Sequence, residues 1–501
     1  MIRKKRMLIP LLPAFLFAFM GIGFLHASSP LEDYSLRITE HTLKNGIHFI
    51  LLQDHTAPAV SFHVHVKAGS VNETPGETGI SHLIEHLAFN GTRNTGTTNW
   101  PAEKRLIEKT DRAYERLRQA AKRNADKTAL GKLYEEFLSL NRQANACAET
   151  NEFGKILDRH GAIGPNAYCS YDMTAYWVEL PSNKTELWAA LESDRLFNPV
   201  FRGFYEELEV VKEERRMRVD NSPWGRLMEE FSGVAYRLHP YRHPIVGYAG
   251  DLEEMTRSKV RKFYEKYYLP SNIVVAVAGD VYPEDFIPLA ERYFGSIPAG
   301  RPYDASLPGE PASTSEKKVV VRMDSQPILL TGFNIQDIRH PDIPALEICA
   351  EILGGGRTSR LYRKLVKEEK TAVSTGSWCW APQNPGIFYI WAIASKGTSN
   401  SRLEEAIFEE VEKMKSAGIQ ENEISGARAR LRMNILTSLK SRRGMARELA
   451  WYEAVTGDWR NLFIYAGRLE EVTAEDISRV MKKYFSPENM TTGMVEPNAK
   501  E

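Results

Sequence analysis

"LEEMTRSKVRKFYEKYYLPSN" (residues 252–272) and "LEEVTAEDISRVMKKYFSPEN" (residues 469–489) carry one pattern 217 residues apart. In each, a Leu-Glu-Glu triplet and a threonine N-cap, Thr256 or Thr473, open a helical run. A proline-containing turn ending in Asn closes it. The first copy continues into an apolar strand, Ile273–Ala278. The beginnings of the two halves correspond as well. "PAVSFHVHVKAG" (58–69) and "PILLTGFNIQ" (327–336) both read as strands. Each precedes a helix that ends in a glycine-containing turn, "HLAFNGT" (86–92) or "EILGGGRTS" (351–359). Two copies of one α/β domain of roughly 200 residues account for this pattern.

The domain limits follow. The N-terminal copy covers residues 33–296 and the C-terminal copy 319–501, joined by a Pro-, Gly- and Ser-rich linker at 297–318. The first copy is the longer. Its excess, at about 103–160, is charged, free of proline and apolar at helical spacing. It is expected to form one or two inserted amphipathic helices, either a solvated hairpin or a surface for a partner.

The 501 residues carry 65 Lys+Arg and 65 Asp+Glu, so no basic excess points to nucleic acid and no acidic excess to disorder. The N-terminus departs from this balance. Arg3-Lys4-Lys5-Arg6 precedes an apolar or small run, Met7 to Leu25, and then Ala27-Ser28-Ser29-Pro30. This is the layout of a secretory signal over residues 1–27, and the run is also long enough to be kept as an anchor. Export permits disulfides. Cys147, Cys169, Cys349 and Cys379 form no CxxC pair, and four thiols or one or two bridges are equally open.

The chemistry is concentrated in "GISHLIEHLAFNGT" (79–92). On a helix, His82 and His86 are four apart and share a face, with Glu85 flanking it. Two neutral imidazoles, a third ligand and one open position make a catalytic zinc site, and an adjacent carboxylate can move a proton. The third ligand must come from elsewhere. "FYEELEVVKEERRMRVDNSPWG" (204–225) is helical by composition and places Glu207 and Glu214 two turns apart on one face.

With these motifs in view, the chain resembles the pitrilysin/insulinase family of zinc peptidases, the inverzincins. It is most similar to the two-domain, processing-peptidase-like branch. The resemblance implies an α+β fold: two homologous α/β domains, each an antiparallel-rich sheet with helices packed on it, forming one half of a clamshell. It implies one zinc per chain, with His82, His86 and Glu214 as ligands. Glu85 would be the general base and Glu207 a further active-site carboxylate. "NAYCSYDMTAYWVELP" (166–181) resembles the edge strand beside the zinc, so Asn166, Ala167 and Tyr168 would lie against a peptide added as a further strand.

One departure stands out. Many active members carry an Arg and, seven residues on, a Tyr in the second half, and this chain has Val366 and Val373 there. A homologous subunit supplying that pair is the expectation. The implied activity is that of an exported zinc metalloendopeptidase of a bacterial periplasm or cell envelope, cutting peptides or unfolded segments. The alternatives are a non-catalytic assembly subunit and a maturase for one peptide-derived product. Three other features get plainer readings. His63 and His65 belong to a half-buried strand, His239 and His243 are structural, and "GGGRTS" (354–359) ends a helix without binding phosphate.

Overall fold

A computed structural model of the chain describes residues 37–300 and 307–498. The expected signal segment and residues 301–306 of the linker lie outside the described residues.

The first sheet comprises β1 (Ile38–Thr42), β2 (His48–Gln53), β3 (Ala59–Val66), β4 (Ile163–Cys169), β5 (Thr174–Pro181) and β6 (Ile273–Gly279). Their spatial order is β1-β2-β6-β3-β5-β4. The second comprises β7 (Lys317–Arg322), β8 (Ile328–Asn334), β9 (Ala372–Trp380), β10 (Ile387–Ala394) and β11 (Met490–Glu496), in the order β7-β11-β8-β10-β9. The two sheets match strand for strand from β2 and β7 onward. In each, the strand that follows the repeated motif lies in the sheet beside a parallel neighbour, β2 or β7, and every other pairing is antiparallel. The chain is therefore α+β with two homologous, antiparallel-rich α/β units.

The helices of the first half are α1 (Ile80–Leu87), α2 (Trp100–Lys122), α3 (Lys127–Asn145), α4 (Glu152–Arg159), α5 (Thr185–Phe197), α6 (Phe204–Arg215), α7 (Pro223–Ala235), α8 (Ala249–Glu253), α9 (Arg257–Tyr267) and α10 (Pro283–Phe294). Those of the second are α11 (Ile343–Gly354), α12 (Asn400–Ala417), α13 (Glu421–Leu439), α14 (Arg442–Thr456), α15 (Asn461–Glu471) and α16 (Ala474–Tyr484). The repeated threonines do cap: Thr256 accepts from the Lys259 N–H and Thr473 from the Asp476 N–H. The charged stretch expected to hold one or two helices holds three, α2 to α4. It is not simply solvated. Tyr114 and Phe137 pack their rings on Tyr205 of α6, and Arg257 of α9 pairs with Asp111 at 2.7 Å.

β3 explains how the halves are joined. Val60, Phe62, Val64 and Val66 point into the core beneath α1, α5 and α10. Ser61, His63 and His65 point the other way, and they are also buried. The half-buried reading of this strand is thus corrected. α14, from the second half, lies across this outer face. Its Met445, Ala446, Leu449 and Ala450 pack on Ile50, Leu52, Val274, Ala276 and Ala278. The converse holds for the second sheet. Leu227 and Phe231 of α7, from the first half, cover β7, β8 and β11, with Leu330 and Val495 beneath them. α7 and α14 occupy corresponding places in the repeat and start alike, each with a serine N-cap, Ser222 or Ser441, bonded to the N–H of a glycine three residues on. Each half lends one helix to the other's sheet.

Those glycines, Gly225 and Gly444, sit where a Cβ would stand 1.9 Å from the Arg218 carbonyl oxygen and 1.7 Å from that of Ser438. Alanine at either position must push the start of the exchanged helix away from the end of the helix before it. Gly225→Ala and Gly444→Ala are each expected to cost about 1–3 kcal/mol, read as a lower melting temperature. Unchanged melting of both would rule out the close approach.

His63 and His65 have a thermodynamic consequence. None of their four ring nitrogens meets a hydrogen-bond partner among the described residues. Burial holds His65 down to about 3, with Arg447 adding to the effect, and His63 lies well below its usual value for the same leading cause. Because the folded value is below the unfolded one, the unfolded chain binds protons that the folded chain refuses. The neutral rings' contribution is therefore complete above the unfolded value of about 6.5 and is lost as pH falls below it, at up to about 1.4 kcal/mol per pH unit for each ring. His65→Phe should flatten the decline in the urea midpoint between about pH 6.5 and 5. Equal slopes in both proteins would contradict this account.

Candidate metal centre

α1 is short, and its start is held from outside. The Glu73 carboxyl accepts from the N–H groups of Gly79 and Ser81, both at 2.8 Å, which satisfies two free donors at the helix N-terminus. Leu83, Ile84 and Leu87 anchor the helix in the first core. That packing turns His82 and His86 to the opposite side, toward α6.

There the rings converge on one carboxylate. His82 Nε2 lies 3.6 Å from Glu214 Oε1, and His86 Nε2 lies 3.3 Å from Glu214 Oε2. Ligand atoms of the three residues all fall within 4.8 Å of one another. Ligands about 2.1 Å from a tetrahedral zinc stand about 3.4 Å apart. The donor set and its spacing therefore fit a zinc ion with little rearrangement.

Further polar groups flank the cluster. His86 Nδ1 meets Glu207 Oε2 at 3.3 Å, an interaction that would hold the proton on Nδ1 and leave Nε2 to a metal ion in the neutral ring. Asn90 donates to Glu207 Oε1 at 3.1 Å and to the Arg202 carbonyl at 3.2 Å, fixing that carboxylate from below. Glu85 Oε2 stands 3.9 Å from His82 Nε2, beside the cluster.

The electrostatics favour a cation. Hydrogen bonds to Glu207 and then Glu214 raise His86 to about 9 against the opposing effect of burial. Burial lowers His82 to about 4, although Glu214 opposes it. Burial also raises Glu85. Burial acts to raise Glu207, but the hydrogen bonds from His86 and Asn90 outweigh it and its carboxyl is held low. Glu214 is held low first by its hydrogen bond with His86. Three carboxyl groups thus crowd two imidazoles, and a divalent ion would take over the charge that His86 otherwise carries as a proton.

The cluster opens into a cavity of about 730 Å³ walled by Asn166 to Cys169 of β4 and by Trp224 and Met228 of α7. β4 is the edge strand of its sheet, so the three residues expected beside a peptide lie along a free edge. Sequence reasoning missed three contributors. Arg218, 73% exposed, reaches Glu214 Oε1 at 2.7 Å from four residues along the chain, a spacing that was legible. Asn90, inside "HLAFNGT", was seen only as part of a turn. Glu73 had no local signal, since its role depends on where α1 begins.

Residues 48–114 match the insulinase (peptidase family M16) model, and residues 254–431 match that of the peptidase M16 inactive domain. The chain belongs to the pitrilysin/insulinase family. It is similar to the zinc protease PqqE of Helicobacter pylori, at 26% identity over 94% of this chain and 96% of that protein. The crystal structure of a protease from Helicobacter pylori superposes with a TM-score of 0.77 at 25% identity, over 92% of this chain and 99% of the other. The periplasmic protease PqqL of Escherichia coli shares the fold at a TM-score of 0.67 and 14% identity. There, 92% of this chain covers only 47% of the longer protein.

Within the family fold, the second unit offers no corresponding metal cluster among the described residues. Val366 packs against the second core, and Val373, 53% exposed, stands near the start of β9. Arg360 is bound to Glu423 in the same unit. His239 and His243 are buried in a loop, and His239 Nδ1 accepts from the Tyr241 N–H at 3.3 Å. The four cysteines are free thiols. α11 ends at Gly354, where "GGGRTS" begins.

Glu207→Gln keeps the shape of the site but removes the charge behind His86. It is expected to weaken zinc affinity by about 10–100-fold, measured by competition with a chromogenic chelator. Unaltered affinity would mean that Glu207 does not orient the ligand.

Proposed function

We propose that this chain is an exported zinc-dependent endopeptidase that hydrolyses peptides or unfolded protein segments. The observation that carries the reading is the convergence of His82, His86 and Glu214 on one point beside the half-buried carboxyl of Glu85. One zinc per chain, held by those three side chains, would supply Lewis acidity, polarising the scissile carbonyl and acidifying the attacking water.

The chain's own residues do the rest. The free edge of β4 takes the peptide backbone as an added strand. The Ala167 N–H is met by its neighbour Asn166 Oδ1 at 2.8 Å, a local bond that a substrate carbonyl can replace. Glu85 accepts the proton of the attacking water and returns it to the leaving amine. Its burial-raised pKa brings the carboxyl nearer the pH at which it works in both directions. Glu207 keeps His86 in one orientation, and Arg218 offsets charge on Glu214.

Export is supported by the basic-then-apolar N-terminal stretch. Among the described residues no helix is long and apolar enough to cross a membrane. A homologous subunit is supported by two observations. Valines occupy the positions expected for Arg and Tyr, and the chain corresponds to about half of PqqL. The same valines favour one second reading, a subunit that binds peptide without cutting it.

Glu85→Gln is expected to retain zinc and lower peptide hydrolysis by about 10²–10⁴-fold. The assay is cleavage of a quenched-fluorescence peptide by the zinc-loaded chain, alone and mixed with a homologue bearing the Arg–Tyr pair. Full hydrolysis by Glu85→Gln would overturn its role as base. No hydrolysis under either condition would favour the non-cutting reading.

A further inference from the structure

The edge strand β4 borders two cavities. Its residues alternate between the faces of the sheet. Ala167 pairs with Tyr176, whose ring lies in the core beneath α1, so Ala167 and Cys169 face the metal cluster. Asn166 pairs with Trp177, and Tyr168 with Ala175, on the face that carries His63 and His65. Tyr168 lies beside the ring of His65 and packs with Trp451 of α14 and Ile338. On this second face Tyr168 walls a cavity of about 440 Å³ that the mechanism does not use.

The second half of the chain builds the remaining walls. Trp451 and Tyr452 of α14, Tyr465 of α15 and Leu431 of α13 line it, with Glu347 of α11 and the pair Arg447–Glu448. Arg447 is committed, donating to Glu448 Oε1 through Nη2 at 2.6 Å. Glu347 receives the Tyr465 hydroxyl and pairs with no cation among the described residues. The cavity therefore offers aromatic faces around a carboxyl that lacks a positive partner.

A peptide added to β4 must alternate in the same way. Every second side chain faces the metal cluster, and those between face the Tyr168 side. We infer that the second cavity is a specificity subsite for an arginine or lysine side chain of the peptide, an inference that rests on the peptidase reading above. A cationic head among three tyrosines and a tryptophan gains cation–π attraction, and its aliphatic stem covers Leu431 and Ile435. The carboxyl supplies the charge once it is ionised. Burial, then the neighbouring Glu351, pushes Glu347 up to about 8, so without a guest it is largely protonated at neutral pH, and a cationic side chain favours release of that proton. A neutral or acidic side chain gains neither term.

The test separates binding from turnover. The probe is a fluorescein-labelled extended peptide in which a single Arg is moved along the sequence, compared at each position with its citrulline twin. Its affinity is measured by anisotropy on the zinc-loaded full chain carrying Glu85→Gln. At one position, and not at the next, Arg should bind about tenfold or more tightly than citrulline. Adding Glu347→Gln should bring the ratio close to one, and Glu347→Asp, a milder change, should reduce it if the Gln variant does not fold. Equal affinities of the twins at every position, no binding of any peptide, or a preference that survives loss of Glu347 would each overturn the subsite. Failure of the peptidase reading shows elsewhere, as absent hydrolysis by the unsubstituted chain both alone and with the homologue, because the affinity ratio is read without cleavage.

Discussion

The structure depends on an exchange of helices between its two halves. A sheet in which neighbouring strands, here β2 and β6, are apolar on both faces cannot stand in water with one face bare. In the first sheet Phe49 and Leu51 face one way and Ile50 and Leu52 the other, and all four are buried. The covering for the second face comes from α14, more than 150 residues along the chain, while α7 covers the second sheet in return. Each fully buried aliphatic side chain in these layers contributes about 1.5–3 kcal/mol. Neither half can keep that contribution alone, so the repeat folds as one unit.

The exchange also positions the chemistry. Glu207 and Glu214 lie on α6, which continues through Arg216–Asp220 and, after the two-residue turn at Asn221 and Ser222, into α7. Because α7 is fixed to the second sheet, the far end of the ligand helix is tied to the other half of the molecule. α1 is tied to the first core by Leu83, Ile84 and Leu87 and capped by Glu73. The Glu214 carboxylate meets the two imidazoles because both helices are restrained independently of any ion. The crowding of carboxyls around His82 and His86 is then a property of the fold, and it is what makes a cation favourable there.

Much of this was legible. Helical period alone puts His82 and His86 on one face, and Glu207 and Glu214 on another, since four and seven residues are near whole turns. The 217-residue offset led to two homologous units because equal capping, helix length and turn placement recur in both. The three inserted helices were under-counted because the breaks at Arg123–Asp126 and Ala146–Asn151 carry no proline. β3 was misjudged because its alternation of apolar and polar residues is that of a strand with one wet face. Nothing within β3 signals that a helix from the other half will cover Ser61, His63 and His65. For the same reason the cavity behind Tyr168 was invisible, its walls coming from four helices of the second half.

The sequence by itself determined the local geometry: which residues form helices and strands, which side chains share a face, and that the halves repeat. These follow from spacing, caps and turns, whose interactions span a few residues. The tertiary structure alone decided what those faces meet. It brought Glu214 to the histidines across 127 intervening residues, closed both sheets with exchanged helices, and set a carboxyl without a positive partner beside the edge strand. Such contacts arise from packing apolar surfaces that are distant in the chain, and no local pattern records which distant surface will be chosen.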